Sequence, residues 1–158
     1  MKPQYCYSNG KIIPVHNAQI SINDIGLLRG YAVFDFLRSH NSKPLLLDKH
    51  LKRFANSAKK LNLRIPLTNH QIESLILKLI QKNNLPDAGI RLFLSGGESP
   101  DGTHFDSKTP TFFVTAASLP IHAPEIYQKG VKLITHEYLR TKPEAKSTNY
   151  LTMLSRKS

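Results

Sequence analysis

Near the end of this 158-residue chain, Lys146 stands in the stretch EAKSTNYLTML, between Ala145 and a run of small hydroxyl and amide residues. A lysine amine is a nucleophile only when it is deprotonated, which burial or neighbouring cations promote. Its commonest covalent use is a Schiff base with an aldehyde. Spacing alone leaves a second reading open, a solvated surface lysine like most of the others here. The chain carries 22 Lys+Arg against 11 Asp+Glu, a formal charge of +11, which favours anions in general, including phosphorylated small molecules. The basic residues are scattered from Lys2 to Lys157, there is no Trp, and the aromatics sit in apolar strand patterns, so a nucleic-acid surface is not expected. A non-catalytic basic interaction module is the reading that charge alone would allow. The single cysteine, Cys6, has no partner for a disulfide or a Cys-rich zinc site, so no metal centre is expected and a reducing cytoplasm suits the chain.

The elements that must position Lys146 read as strands, then two helices, then strands. Two β-like runs flank Ser8-Asn9-Gly10, and Asn-Gly between such runs predicts a hairpin, since both residues tolerate positive φ. AQISIND alternates like a strand and DIGLLRG reads as a glycine-rich bend. In YAVFDFLRSH the alternation places Ala32, Phe34, Phe36 and Arg38 on one face and Val33, Asp35 and Leu37 on the other. A turn at Asn41-Ser42-Lys43-Pro44 leads into a return strand beginning at LLL. Asp48 is the expected N-cap of a helix over 49–61 with an apolar stripe of Leu51, Phe54, Ala55, Ala58 and Leu61. Thr68 and Gln71 form a capping box for a second helix, buried through Ile72, Leu75, Ile76, Leu79 and Ile80 and stopped by Asn83-Asn84-Leu85-Pro86. Residues 89–95, 111–118 and 131–139 are strand-like, and the polar stretch GGESPDGTHFDSKTP predicts a long loop. This grouping implies an α+β fold, a largely antiparallel sheet with the two helices packed on one face. ESLILKLI, the longest apolar stretch, is too short to span a bilayer, and the opening MKPQYCYSNG lacks the apolar core of an export signal.

In this order, YSNGKII, GYAVFDFLRSHNSKPLLLDKHLKRFANSAKKL, NNLPDAGIRLFLSGG and KSTNYL resemble the opening hairpin, signature strand–turn–helix, helix-to-strand passage and lysine segment of the fold-type IV (class IV) pyridoxal-phosphate enzymes. That group comprises branched-chain aminotransferases, D-amino acid aminotransferases and aminodeoxychorismate lyases. The resemblance implies pyridoxal 5′-phosphate as cofactor and Lys146 as the lysine that carries it and moves the substrate proton. Arg53, in HLKRFANSA, matches the arginine that binds the cofactor phosphate, and a guanidinium suits bidentate phosphate binding; read from composition, it is a solvated helix charge beside Lys52. Tyr150 resembles the tyrosine that meets the cofactor's phenolic oxygen, although Lys-Ser-Thr-Asn-Tyr is one residue shorter than the branched-chain pattern and closer to the D-amino acid and lyase groups. Phe34 matches an aromatic substrate wall and Arg91 an arginine that meets glutamate's distal carboxylate. Their other readings are a core ring and a strand-face ion pair. Asp101, in SPDGTH, stands where the D-amino acid enzymes carry a carboxylate-trapping arginine, which argues against that specificity.

Under the resemblance, residues 1–120 form an N-terminal α+β domain. Residues 121–158 are an interdomain segment and the start of a cofactor domain, whose acidic partner for the pyridine nitrogen and phosphate-holding amides are expected beyond residue 158. The implied activity is branched-chain-type transfer of an amino group between an amino acid and a 2-oxo acid, in a homodimer. The alternative is aminodeoxychorismate lyase, a β,α-elimination using the same lysine.

Overall fold

The structure, a computed structural model, describes residues 4–155. Its centre is a six-stranded antiparallel sheet in the order β2-β1-β6-β5-β3-β4, built from β1 (Tyr5–Ser8), β2 (Lys11–Pro14), β3 (Ala32–His40), β4 (Lys43–Pro44), β5 (Ala88–Ser95) and β6 (Thr111–Ser118). Helices α2 (Leu47–Lys60) and α3 (Asn69–Lys82) pack on one face, as the α+β pattern predicts. Asn9 (φ 41°) and Gly10 (φ 103°) make the tight β1–β2 turn, where both central residues need left-handed backbone.

The alternation of β3 decides what each face does. Val33, Asp35 and Leu37 are buried on the helix side, while Phe34 and Phe36 are partly covered on the open side and Arg38 is exposed. In β5 and β6, Ile90, Leu92, Leu94, Phe112, Val114 and Ala116 turn inward with Phe54, Ile72, Ile76 and Leu79 of the helices, all fully or almost fully buried. Burial of this apolar face is what holds α2 and α3 to the sheet, at roughly 25 cal/mol per Å². The open face carries Phe34, Arg91, Phe93 and Phe113, and the last two rings stack 4.4 Å apart.

Several expected elements differ. The AQISIND stretch is not a strand. Asp24 is buried, and its carboxylate accepts from Gly26 N–H (2.7 Å), from Ser95 Oγ (2.7 Å) and from Thr111 Oγ1. It thereby caps a short helix, α1 (Ile25–Arg29), where the sequence suggested only a bend, and Gly30 closes that helix in the left-handed conformation (φ 65°). The return strand after the Asn41–Ser42 turn is only β4, because Leu46 adopts φ 50° and α2 starts directly behind it. Asp48 is therefore in the first turn, where its charge complements the helix dipole, and is not the cap. The capping box of α3 is present as predicted: Thr68 Oγ1 accepts from Gln71 N–H, and Gln71 Oε1 accepts from Thr68 N–H. Within α2, Ala55 is exposed and Ser57 is buried in its stead. Residues 131–139 form no strand: Val131, Leu133, Ile134 and Leu139 are all exposed, and the stretch pairs with no sheet edge among the described residues. β-propensity without a neighbouring ladder leaves the backbone donors to water. Short helices α4 (Pro124–Lys129) and α5 (Leu151–Leu154) flank that stretch and the lysine segment.

Candidate active site

The lysine segment closes over the first half of β3, on the edge that β4 leaves uncovered. Phe34 N–H donates to the Lys146 carbonyl (3.0 Å), Thr148 N–H donates to the Ala32 carbonyl (3.0 Å), and Val33 and Ser147 form an antiparallel bridge. Ala145 and Ser147 are buried by this docking. A third contact ties the segment to α2: Lys146 N–H donates to Ser57 Oγ (3.0 Å), and that hydroxyl donates to the Arg53 carbonyl (2.8 Å). The lysine backbone and the helical turn that carries Arg53 are thus joined by one buried side chain.

The Lys146 ammonium lies 4.4 Å from the centre of the Phe34 ring and 3.5 Å from the Tyr150 hydroxyl. Phe34 and Tyr150 are tilted against each other at 5.7 Å, and the Arg140 guanidinium sits over the Tyr150 ring at 4.9 Å. Burial alone would push the Tyr150 phenol up, but hydrogen bonding to Arg140 and the charge of Lys146 outweigh it, leaving the phenol below its ordinary value. Tyr150 separates two hollows. One, of about 500 Å³, is lined by Phe34, Arg91, Phe93, Phe113, Thr148 and Tyr150, together with Met153 and Leu154. The other, of about 190 Å³, is bounded by Tyr138, Arg140, Asn149 and Tyr150 with residues of α5.

Phe34, Arg91, Lys146 and Tyr150 are therefore brought together. Arg91, exposed on β5 and opposite Phe36 in the sheet register, presents its charge to the larger hollow. Arg53 lines neither hollow. Its helical turn is joined to the lysine segment through Ser57, which donates to the Arg53 carbonyl and accepts from the Lys146 amide. Arg53 is also not the free helix charge that composition suggested. Its Nε and Nη2 donate to Oδ2 and Oδ1 of Asp35, both at 2.8 Å, and the Asp35 side chain is fully buried. His50 Nδ1 stands 2.8 Å from the same Asp35 Oδ1. Burial would raise the Asp35 carboxyl, yet the hydrogen bonds from Arg53 and His50 hold it below the usual carboxylate range, and this pairing pushes Arg53 further up.

Ser57, Asp35, His50 and Arg140 were not singled out from the sequence. For Asp35 a signal existed, a lone carboxylate on the otherwise apolar face of β3. For Ser57 the helical stripe put Ala55, two positions earlier, on the buried face. His50 and Arg140 carried none, since neither residue's spacing to its partner follows a period within one strand or helix.

The class IV amino-transferase family model matches residues 32–157. A putative branched-chain-amino-acid aminotransferase of Methanocaldococcus jannaschii is 35% identical over 153 residues, covering 92% of this chain and 51% of the relative. A putative 4-amino-4-deoxychorismate lyase of Legionella pneumophila superposes with a TM-score of 0.75 at 26% identity, covering 89% of this chain and 52% of that one. The T.th. branched-chain aminotransferase, solved in complex with N-(5′-phosphopyridoxyl)-L-glutamate, superposes with a TM-score of 0.65 at 25% identity over 75% of this chain and 42% of that one. The chain thus spans about half the length of the relatives it matches. With its signature strand–turn–helix, its lysine segment and strands β3 to β6 inside the matched region, this chain belongs to the class IV aminotransferases, a pyridoxal-phosphate-dependent family.

Proposed function

We propose that this chain contributes the lysine and the substrate wall of a branched-chain-type aminotransferase, which moves an amino group between an amino acid and a 2-oxo acid. The observation that carries the reading is the position of the Lys146 amine, beside Tyr150 and over Phe34, two rings of a hollow that Arg91, Phe93 and Phe113 also line. The residues suit the family's cofactor chemically. Lys146 offers an amine to an aldehyde. Tyr150 offers a phenol of lowered affinity for its proton, and Arg53 keeps Nη1 unengaged by any described carboxylate while its other edge is held. Pyridoxal phosphate, when bound, supplies an aldehyde that captures amines and a ring that accepts negative charge developing at the substrate α-carbon.

In this reading Lys146 Nζ takes the proton from the α-carbon and returns it, a task for which a lysine is suited once desolvated. Tyr150, polarised by Arg140 and Lys146, donates toward the cofactor's phenolic oxygen. Arg53 binds the phosphate. Phe34, Phe93 and Phe113 exclude water from the larger hollow and give an aliphatic side chain an apolar wall. Arg91 binds the distal carboxylate of a glutamate or 2-oxoglutarate occupying the same hollow. In the same reading, residues 1–120 are the N-terminal α+β domain and 121–158 an interdomain segment with the start of the cofactor domain, in a homodimer.

The likeness to the Legionella lyase and the short Lys146-to-Asn149 spacing favour a second reading, β,α-elimination of pyruvate from aminodeoxychorismate. Assaying the full-length polypeptide for both reactions separates the two. Amino transfer from an L-amino acid to 2-oxoglutarate, faster than pyruvate release, is expected. Pyruvate release without detectable transfer would overturn the aminotransferase reading.

A further inference from the structure

We propose that Asp35 is a positioning residue for phosphate recognition. By gripping the Nε–Nη2 edge of Arg53, it fixes the direction of the Nη1 end, the part of the guanidinium left to read an anion. The inference rests on Arg53 being the phosphate-binding arginine, as argued above.

A carboxylate buried beside a cation that must attract an anion calls for an explanation, because its charge opposes the attraction. The geometry supplies one. Asp35 sits on the helix-facing side of β3 with no exposure, and both of its oxygens are used: Oδ2 accepts from Arg53 Nε, and Oδ1 accepts from Arg53 Nη2 and lies 2.8 Å from His50 Nδ1. Two guanidinium protons are thus committed to Asp35, and Nη2 also stands 3.2 Å from His50 Nδ1. The Nη1 pair remains for an end-on contact with a phosphate. The Arg53 side chain is half exposed, so without Asp35 it would sample many rotamers, and ordering it would fall to the ligand. His50 Nδ1, 2.8 Å from the same oxygen, gives the carboxylate a second partner on that side. Ser57, bonded to the Arg53 carbonyl, keeps the same helical turn in register with the Lys146 backbone. Direction, reach and register of Arg53 are thereby set before any ligand arrives.

The test compares the affinities of the full-length polypeptide for pyridoxal 5′-phosphate and for pyridoxal, which lacks the phosphate, by absorbance titration. Urea unfolding of each variant checks the fold. Asp35→Asn retains the size of the side chain but turns an amide N–H toward the guanidinium. It should weaken pyridoxal-phosphate binding about tenfold, the scale of one charge-assisted hydrogen bond, and change pyridoxal binding less than about twofold. A merely structural role would weaken both ligands alike and overturns the inference, as does tighter phosphate binding, which would mean that the carboxylate's repulsion dominates. Arg53→Lys, at a half-exposed helix position, covers the case in which Asp35→Asn does not fold. It keeps the charge but loses the fork, and should lose the same preference for the phosphorylated ligand; wild-type preference in Arg53→Lys overturns the inference. Arg53→Ala separates the two levels. If it leaves the preference for the phosphorylated ligand intact, the assignment of Arg53 itself fails. If it abolishes the preference and Asp35→Asn does not reduce it, only the positioning inference fails.

Discussion

Ser57→Ala tests whether α2 holds the lysine segment in place. Ser57 is fully buried, and its hydroxyl is the acceptor for Lys146 N–H at 3.0 Å and the donor to the Arg53 carbonyl at 2.8 Å. Removing the oxygen leaves the lysine amide without its partner, a loss of about 1–3 kcal/mol for a buried donor left unsatisfied. Two effects offset part of this. Alanine is the better helix former by about 0.5 kcal/mol, and a serine bonding back to the carbonyl four residues earlier slightly strains its own helix. The net expectation is a loss of about 1–2 kcal/mol, concentrated on residues 145–148 because the packing of α2 through Leu51, Phe54 and Ala58 is untouched. Amide hydrogen exchange reads this residue by residue. Protection of the Lys146 amide should fall about tenfold, since 1.4 kcal/mol is a factor of ten. The Phe34 amide, bonded to the Lys146 carbonyl, should follow it, and Leu92 in the central strand should not. Unchanged protection at Lys146 in a folded variant would refute the claim that Ser57 latches the segment.

Acid stability should depend on Asp35. Its folded-state carboxyl is held below the unfolded value of about 3.9, so its contribution is fully present above that pH and is lost as pH falls through the folded value. Asp35→Asn should therefore cost about 1.5–3 kcal/mol at neutral pH, at the lower end because Arg53 is half exposed and regains water. It should also flatten the pH dependence of the urea midpoint below about pH 4; an unaltered acid limb would contradict the pairing. The Tyr150 phenol should ionise below the ordinary tyrosine value in an ultraviolet titration, with Arg140→Ala moving it back up; a titration identical before and after that substitution would refute the Arg140 contact.

What could be read from the sequence was whatever depends on near neighbours. The capping box of α3 needs only residues three apart, and the β1–β2 hairpin needs only Asn9-Gly10, so both were legible. The faces of β3 followed from alternation, which put Phe34 and Asp35 on opposite sides before any partner was known; which side the helices cover came only with the fold. The signals for α1 were also present, with Asp24 before it and Gly30 after it, but the helix is so short that its turn residues read as a bend. Residues 131–139 show the opposite error: their β-branched pattern is real, but a strand is defined by a neighbour, and none among the described residues pairs with them. The Asp35–Arg53–His50 cluster is a tertiary arrangement between a strand and a helix on the far side of a turn. Nothing in local spacing shows that a buried carboxylate and a half-exposed arginine will meet.

The central claim is that Lys146 is the residue whose amine captures the cofactor aldehyde. Borohydride reduction of the full-length polypeptide loaded with pyridoxal 5′-phosphate, followed by peptide mapping, tests it directly. The pyridoxyl mass should appear on the peptide containing Ala145-Lys146-Ser147, at one per chain, and should vanish in Lys146→Ala. The same stoichiometry on another lysine, or an adduct that survives in Lys146→Ala, would contradict the account.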